Sequence, residues 1–152
     1  MQPGSKNYEE AVLKYRLLHE HIANQRRDFL HKESRRIANA WDAVCVRNDS
    51  LTAISGELGG SGVLNSGFGM FREMLRYKLE RQGKRLLEVE RFTPTTRVCS
   101  VCGCVNEVLS PKARRWVCPV CGTEHGRGVN AAVNIKARGL AQYQIQQSVA
   151  AI

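Results

Sequence analysis

The sequence predicts a mixed α/β domain that carries a small metal-binding insert, and three observations predict it. A long amphipathic stretch without Gly or Pro opens the chain, two short apolar runs lie well apart, and two Cys-x-x-Cys pairs interrupt the second half. The resulting order of helix, strand, helix, strand, cysteine module and helix suits helices laid on a small sheet.

The first element runs from Asn7 to about Ala40, with apolar residues at helical spacing through Tyr8, Val12, Tyr15, Leu18, Ile22, Phe29, Leu30 and Ile37. It reads as one long helix or two in series. Its other face is basic, with Lys14, Arg16, Arg26, Arg27, Lys32, Arg35 and Arg36. Such a face is either a solvated helix surface or a footprint for phosphates.

"AVCV", Ala43 to Val46, is apolar and half β-branched, as in a buried strand. Six glycines with Ser and Asn between Asn48 and Gly69 predict a mobile loop. A second amphipathic helix is expected from about Phe68 to Gln82, with Phe71, Met74, Leu75 and Leu79 inward, Tyr77 flanking and Gly83 as its stop. "RLLEVERF", Arg85 to Phe92, reads as the next strand, closed by Pro94. In "VNAAVNIKARGL" the expected inner side is Val129, Ala132, Val133 and Lys136, with Gly139 as the stop and a polar, disordered tail beyond.

Cys99, Cys102, Cys118 and Cys121 form two Cys-x-x-Cys pairs with fifteen residues between them. Each pair is followed by a glycine, Gly103 or Gly122, which lets the backbone turn under a metal. Four thiolates would close a tetrahedral Zn2+ shell with no position for water or substrate, so one structural zinc is expected. A redox pair normally stands alone at a helix start, which makes it the weaker alternative. Cys45 reads as a small core residue and Cys104 as at most an alternative ligand. His125 reads as a structural histidine rather than a fifth ligand.

Between the pairs lies "KARRW", where Lys112, Arg114 and Arg115 could meet phosphates and Trp116 could stack on a base. The competing reading is a solvated ribbon tip with Trp116 packed over the metal knuckle. The 152 residues are 43% hydrophobic, enough for a core, and 23 Lys+Arg against 14 Asp+Glu give a net charge of +9. That balance favours a polyanionic partner, DNA or RNA. No apolar run approaches the ~18 residues of a membrane span, and the N-terminus lacks a signal-peptide layout, so an intracellular, cytoplasmic location is expected, nucleoid-associated if DNA is bound.

"KNYEEAVLKYRLLHEHIANQRRDFLHKESRRI", "FREMLRYKLERQGKRLLEVERFTPTTRVCSVCG", "WVCPVCGTEH" and "VNAAVNIKARGL" together resemble the C-terminal half of TnpB, the transposon-encoded RNA-guided nuclease related to type V CRISPR effectors. The resemblance runs from about Lys6 to Leu140. It implies a truncated RNase H-like (RuvC-like) domain with a zinc ribbon inserted before its last helix. The implied division is a partial RuvC-like domain over residues 1–95, a ribbon over 96–124, the last helix over 125–140 and a tail over 141–152.

In that family three carboxylates hold two divalent metals that activate water and stabilise the leaving oxygen of a phosphodiester. The first lies on a strand before the long helix, which this chain does not contain. The second aligns with Arg47, and a cation there would repel a metal. The third aligns with Gly128 in "HGRGVNAA", where Gly126 also replaces an acid. Asp49 and Glu124 are the nearby acids, neither well placed to substitute.

The resemblance therefore implies a nuclease-dead accessory or regulatory protein that binds nucleic acid, with guide RNA, DNA or a larger RNA-guided complex as partner. Two alternatives stand beside it: a split endonuclease subunit completed by another chain, and a protein-interaction module that assembles with a full-length relative or with itself. Arg127 would keep a charge where a nucleic-acid strand passes, and Asn130 and Asn134 would cap or brace the sheet.

Overall fold

The computed structural model describes residues 3–49 and 67–150. The loop expected between Asn48 and Gly69 lies almost wholly outside the described residues. Two compact units result. One holds helices α1 (Lys6–Ala40) and α2 (Phe68–Glu80), and the other holds strands β1 (Ala43–Arg47), β2 (Arg85–Val89), β3 (Arg115–Val117) and β4 (Glu124–Gly126) with helix α3 (Arg127–Ala150).

In the first unit α1 is one continuous helix. It starts where the Ser5 hydroxyl accepts the Tyr8 N–H, and it stops at Trp41, whose backbone is extended. Leu30, Ser34 and Ala38 are its buried face. They share an i, i+4 stripe, the spacing that lets a second helix lie across them. On α2 the buried residues are Met74, Leu75, Lys78 and Leu79. Lys78 is the unexpected member: its ammonium donates to Ser34 Oγ at 2.6 Å and to the His31 carbonyl at 2.7 Å. Burial, with Arg35 nearby, pushes its pKa down. A hydrophobic pattern cannot reveal such a residue, because the polar tip is satisfied by backbone and hydroxyl groups of another helix. Gly83, at φ +66°, follows α2 as expected of a helix terminator.

In the second unit β1 and β2 pair in parallel, with Cys45 opposite Leu87 and Arg47 opposite Val89. β2 is shorter than the expected Arg85–Phe92. Its partner ends at Arg47, the Asn48 N–H bonds the Val89 carbonyl, and the chain then turns through a Thr93 N–H to Glu90 carbonyl bond. Strand length follows available partners rather than apolar sequence. β3 and β4 form a separate antiparallel hairpin in the cysteine module, with Trp116 opposite His125.

α3 corrects three expectations. Gly139 does not stop the helix, and the Gln-rich segment after it is helical to Ala150. The buried side is also different: Asn130, Ala131 and Gly139 are buried, whereas Val129 is 72% exposed and Val133, Ala132 and Lys136 face solvent. Gly139 is present for packing. A Cβ built there would lie 2.8 Å from Cys45 Sγ and 3.4 Å from Val89 Cγ2, so only glycine lets α3 sit this close to the strands. Gly139→Ala is therefore expected to destabilise by about 1–3 kcal/mol through overpacking, against the gain of ~1 kcal/mol that the same change gives in an open helix. Urea unfolding measures the sign, and Cys45→Ala in the same chain should recover part of the loss.

Among the described residues no helix is long and apolar enough to cross a membrane.

Candidate metal centre and the corner of the sheet beside it

The centre is built from two knuckles. In the first the Cys99 N–H bonds the Cys104 carbonyl at 2.8 Å, and the Gly103 N–H reaches the Cys99 carbonyl. In the second the Cys118 N–H bonds the Thr123 carbonyl and the Gly122 N–H bonds the Cys118 carbonyl. Gly103 and Gly122 have φ of +76° and +69°, the left-handed turn expected of the residue after each pair. All four sulfurs of Cys99, Cys102, Cys118 and Cys121 lie within 4.8 Å of one another, the zinc-ribbon-type cluster read from the spacing. Cys45 and Cys104 stand outside it.

The chemistry of the donor set fits a soft divalent ion. Four neighbouring thiols cannot all ionise unaided: hydrogen bonds from the Thr123 hydroxyl and backbone pull Cys121 down to about 6. At Cys102 the Cys104 N–H works in the same direction, but burial and the three other sulfurs outweigh it and push the thiol up to about 12. A bound cation removes that conflict, and four sulfurs complete its tetrahedron.

His125 is buried, with Nε2 3.1 Å from Cys99 Sγ and its ring 4.7 Å from the Trp116 ring centroid. It supports the cluster from outside the four ligands, through a hydrogen bond to a ligand sulfur. Trp116 is 6% exposed and packs with Cys99 and Cys118. This corrects the stacking assignment, because no indole face is open to a base.

Arg127, expected to face nucleic acid, is half-buried beside the inter-knuckle loop. Its guanidinium donates to the carbonyls of Ser110 and Pro111, and its N–H bonds the Arg114 carbonyl at 2.8 Å. It holds the loop that displays Lys112 and Arg114, the first of them exposed and the second on the approach to β3. Arg115 pairs with Glu124 at 2.8 Å across the β3–β4 hairpin. On α1, Lys32 pairs with Asp28 and Arg36 with Glu33, Arg27 and Arg35 flank them, and Arg26 completes the basic set.

Asn130 and Asn134 brace the strand-like lead into the first knuckle rather than the sheet. Asn130 Nδ2 donates to the Val98 carbonyl at 2.7 Å and its Oδ1 accepts the Ser100 N–H at 2.9 Å, while Asn134 Nδ2 reaches the Thr95 and Val98 carbonyls. Thr95, which sequence reading passed over, is where the two sites meet. It is 1% exposed, its carbonyl receives both asparagines, and its hydroxyl accepts from Arg47 at 3.3 Å. Its only signal in the sequence is its place just after Pro94.

Arg47 ends β1, and its Nε lies 2.8 and 2.9 Å from the two carboxylate oxygens of Asp49. Asp49, the nearest acid, is thus closed onto a guanidinium. Gly126 ends β4, and Gly128 stands in the first turn of α3 with nothing within 4 Å of the place a Cβ would take.

Residues 68–135 match the family model described as Cas12f1-like, TNB domain, and residues 1–48 match that of a probable transposase of the OrfB type. A putative RNA-guided DNA endonuclease of Streptomyces pristinaespiralis is 35% identical over 91% of this chain and 34% of its own length. The putative RNA-guided DNA endonuclease InsQ of Escherichia coli is 27% identical over 89% of this chain and 37% of its own. The chain thus spans about a third of the length of these curated relatives. Among solved structures, a Cas12f1–sgRNA–target DNA complex superposes with a TM-score of 0.61 at 20% identity, over 85% of this chain and 38% of that one. A CRISPR-Cas12f ternary complex gives 0.65 at 20% identity, over 89% and 28%. These likenesses show the shared mixed α/β fold.

Proposed function

We propose that this chain, TnpB-like in both its N-terminal and C-terminal parts, is a nuclease-inactive nucleic-acid-binding component built round a structural Zn2+. The observation that carries the reading is Arg47: the guanidinium at the end of β1 stands where the TnpB resemblance expects a metal-binding carboxylate, and it engages both oxygens of Asp49. A divalent cation approaching that corner meets a positive charge and no free carboxylate on Asp49. Gly128 supplies no oxygen at the second expected position.

Zinc would be held by Cys99, Cys102, Cys118 and Cys121, with His125 Nε2 against Cys99 Sγ from outside the shell. When bound, it supplies tetrahedral cross-linking of the two knuckles and no open coordination position. The residues of this chain do the rest. Arg127 fixes the carbonyls of the inter-knuckle loop, and that loop offers Lys112 and Arg114 as phosphate contacts. Arg27 and Arg35 offer a second set on α1. The partner class is DNA or RNA, as in the Cas12f1–sgRNA–target DNA complex that the fold resembles.

The test combines binding and cleavage. Zinc-loaded protein on labelled single- and double-stranded DNA and RNA, in Mg2+ or Mn2+, is expected to bind without cutting. Cleavage that disappears in Asp49→Ala or Glu124→Ala would mean a catalytic site rebuilt from other acids. Cleavage that appears only when a longer relative is added would favour a partner-completed enzyme. For the binding surface, Lys112→Glu with Arg114→Glu is expected to weaken binding uniformly across sequences and to reduce the salt slope by about 1 for each phosphate no longer neutralised.

A further inference from the structure

The N-terminal half of α1 carries a second periodicity beyond the one that packs α2. Tyr8, Tyr15, Ile22 and Phe29 recur every seven residues, with Ala11, Leu18 and Gln25 between them at the a-to-d spacing. Among the described residues nothing covers the seam: Tyr15 is 63%, Leu18 57%, Ile22 42% and Phe29 62% exposed. It is distinct from the Leu30, Ser34 and Ala38 stripe buried against α2. A solvated helix gains little from large apolar side chains in a 3.5-residue register, whereas a helix that supercoils with another needs that register.

The flanks of the seam specify the partner. Its e and g positions from Asn7 to Arg26 are Asn7, Val12, Lys14, His19, His21 and Arg26, with no acid among them. Asp28, the g position that follows, is already paired with Lys32. Glu9, Glu10 and Glu20 fall at b, c and f, away from the seam. A second copy would set Lys14 against His19 and His21 against Arg26 in a parallel pair, and antiparallel pairing of these six positions also brings no acid to a cation. With the histidines neutral at pH 7, Lys14 and Arg26 are the two charges among these six positions; self-pairing leaves both without a counter-charge, and a partner with acids at its flanks supplies one.

We propose that Tyr8–Phe29 of α1 is a docking seam for an amphipathic helix with apolar a and d positions and Glu or Asp at its e and g positions. The seam is independent of the nuclease question, since it shares no residue with the Arg47 corner or the cysteine cluster.

The experiment uses the full zinc-loaded chain and two labelled synthetic helices of about three heptads, both with Ile and Leu at a and d. One carries Glu at e and g, the other Lys. By fluorescence anisotropy the Glu peptide is expected to bind at least about tenfold more tightly, through its flanking ion pairs to Lys14 and Arg26. Lys14→Glu with Arg26→Glu should reverse the preference. Tyr15→Ser with Ile22→Ser should abolish binding, with far-UV dichroism and monomer mass unchanged. Equal binding of both peptides, or of neither, overturns the proposal. So does a dimer of the free chain that the Tyr15→Ser, Ile22→Ser variant converts to monomer, because the occupant is then a second copy.

Discussion

Removing the metal from the four-cysteine cluster is expected to unfold the ribbon while α1 and α2 stay helical. Without the ion, four sulfurs within 4.8 Å of one another repel as thiolates or must take up protons, and the short β3–β4 hairpin has only three paired residues on each strand to replace the missing cross-link. Structural zinc in small modules supplies about 10–16 kcal/mol at neutral pH, far more than such a hairpin holds. The chain has two tryptophans, Trp41 at 63% exposure and Trp116 at 6%. In a Trp41→Phe background, Trp116 alone reports the ribbon. Chelation should shift its emission to the red, and stoichiometric Zn2+ should reverse the shift. An emission unchanged by a chelator that removes the metal would show that the ribbon folds without it.

Acid acts in the same direction. A thiol whose folded pKa lies below its ordinary value contributes stability that is complete above that value and lost as pH falls through the folded one. Cys121, drawn from 9.0 down to about 6 by Thr123, contributes in that window. Metal binding also releases thiol protons, so affinity falls as pH falls. A competition titration with a chromophoric chelator between about pH 8 and 5, a range that spans the lower part of that window, should show zinc affinity declining throughout.

Asn130→Ala should be the most damaging single change outside the ligands. It removes the acceptor of the Ser100 N–H and one donor to the Val98 carbonyl, the residues on either side of Cys99. A buried polar group left without its partner costs about 1–3 kcal/mol. Loss of a residue that orients a ligand from outside the shell lowers metal affinity by roughly 10–100-fold. Asn134→Ala should cost less, because its two acceptors, the Thr95 and Val98 carbonyls, are still reached by Asn130. The double variant should exceed the sum of the singles, since only then do both carbonyls lose every asparagine donor. Chelator competition and thermal unfolding measure both orders. Equal effects of the two single changes would remove the distinction between them.

The cysteine cluster was legible because its ligand spacing and turn glycines are local. A Cys-x-x-Cys-Gly knuckle closes on itself, and Gly103 and Gly122 take the positive φ that their place after each pair predicts. The long helix was legible for the same reason, through a helical repeat uninterrupted by Gly or Pro. Arg47 and Gly128 were found by the TnpB resemblance, not by any pattern of their own.

What the sequence determined by itself was therefore whatever is specified within a few neighbouring residues: the periodic helices, the apolar β1 and the metal knuckles. The tertiary structure alone decided which polar residues are buried and which glycine is a spacer. Lys78 is buried because Ser34 and the His31 carbonyl receive its protons, and Asn130 because Val98 and Ser100, far from it in sequence, complete its hydrogen bonds. Gly139 continues a helix because Cys45 occupies the space a side chain would need. Burial of a polar group depends on the partner that satisfies it, and that partner is known only when distant parts of the chain have met.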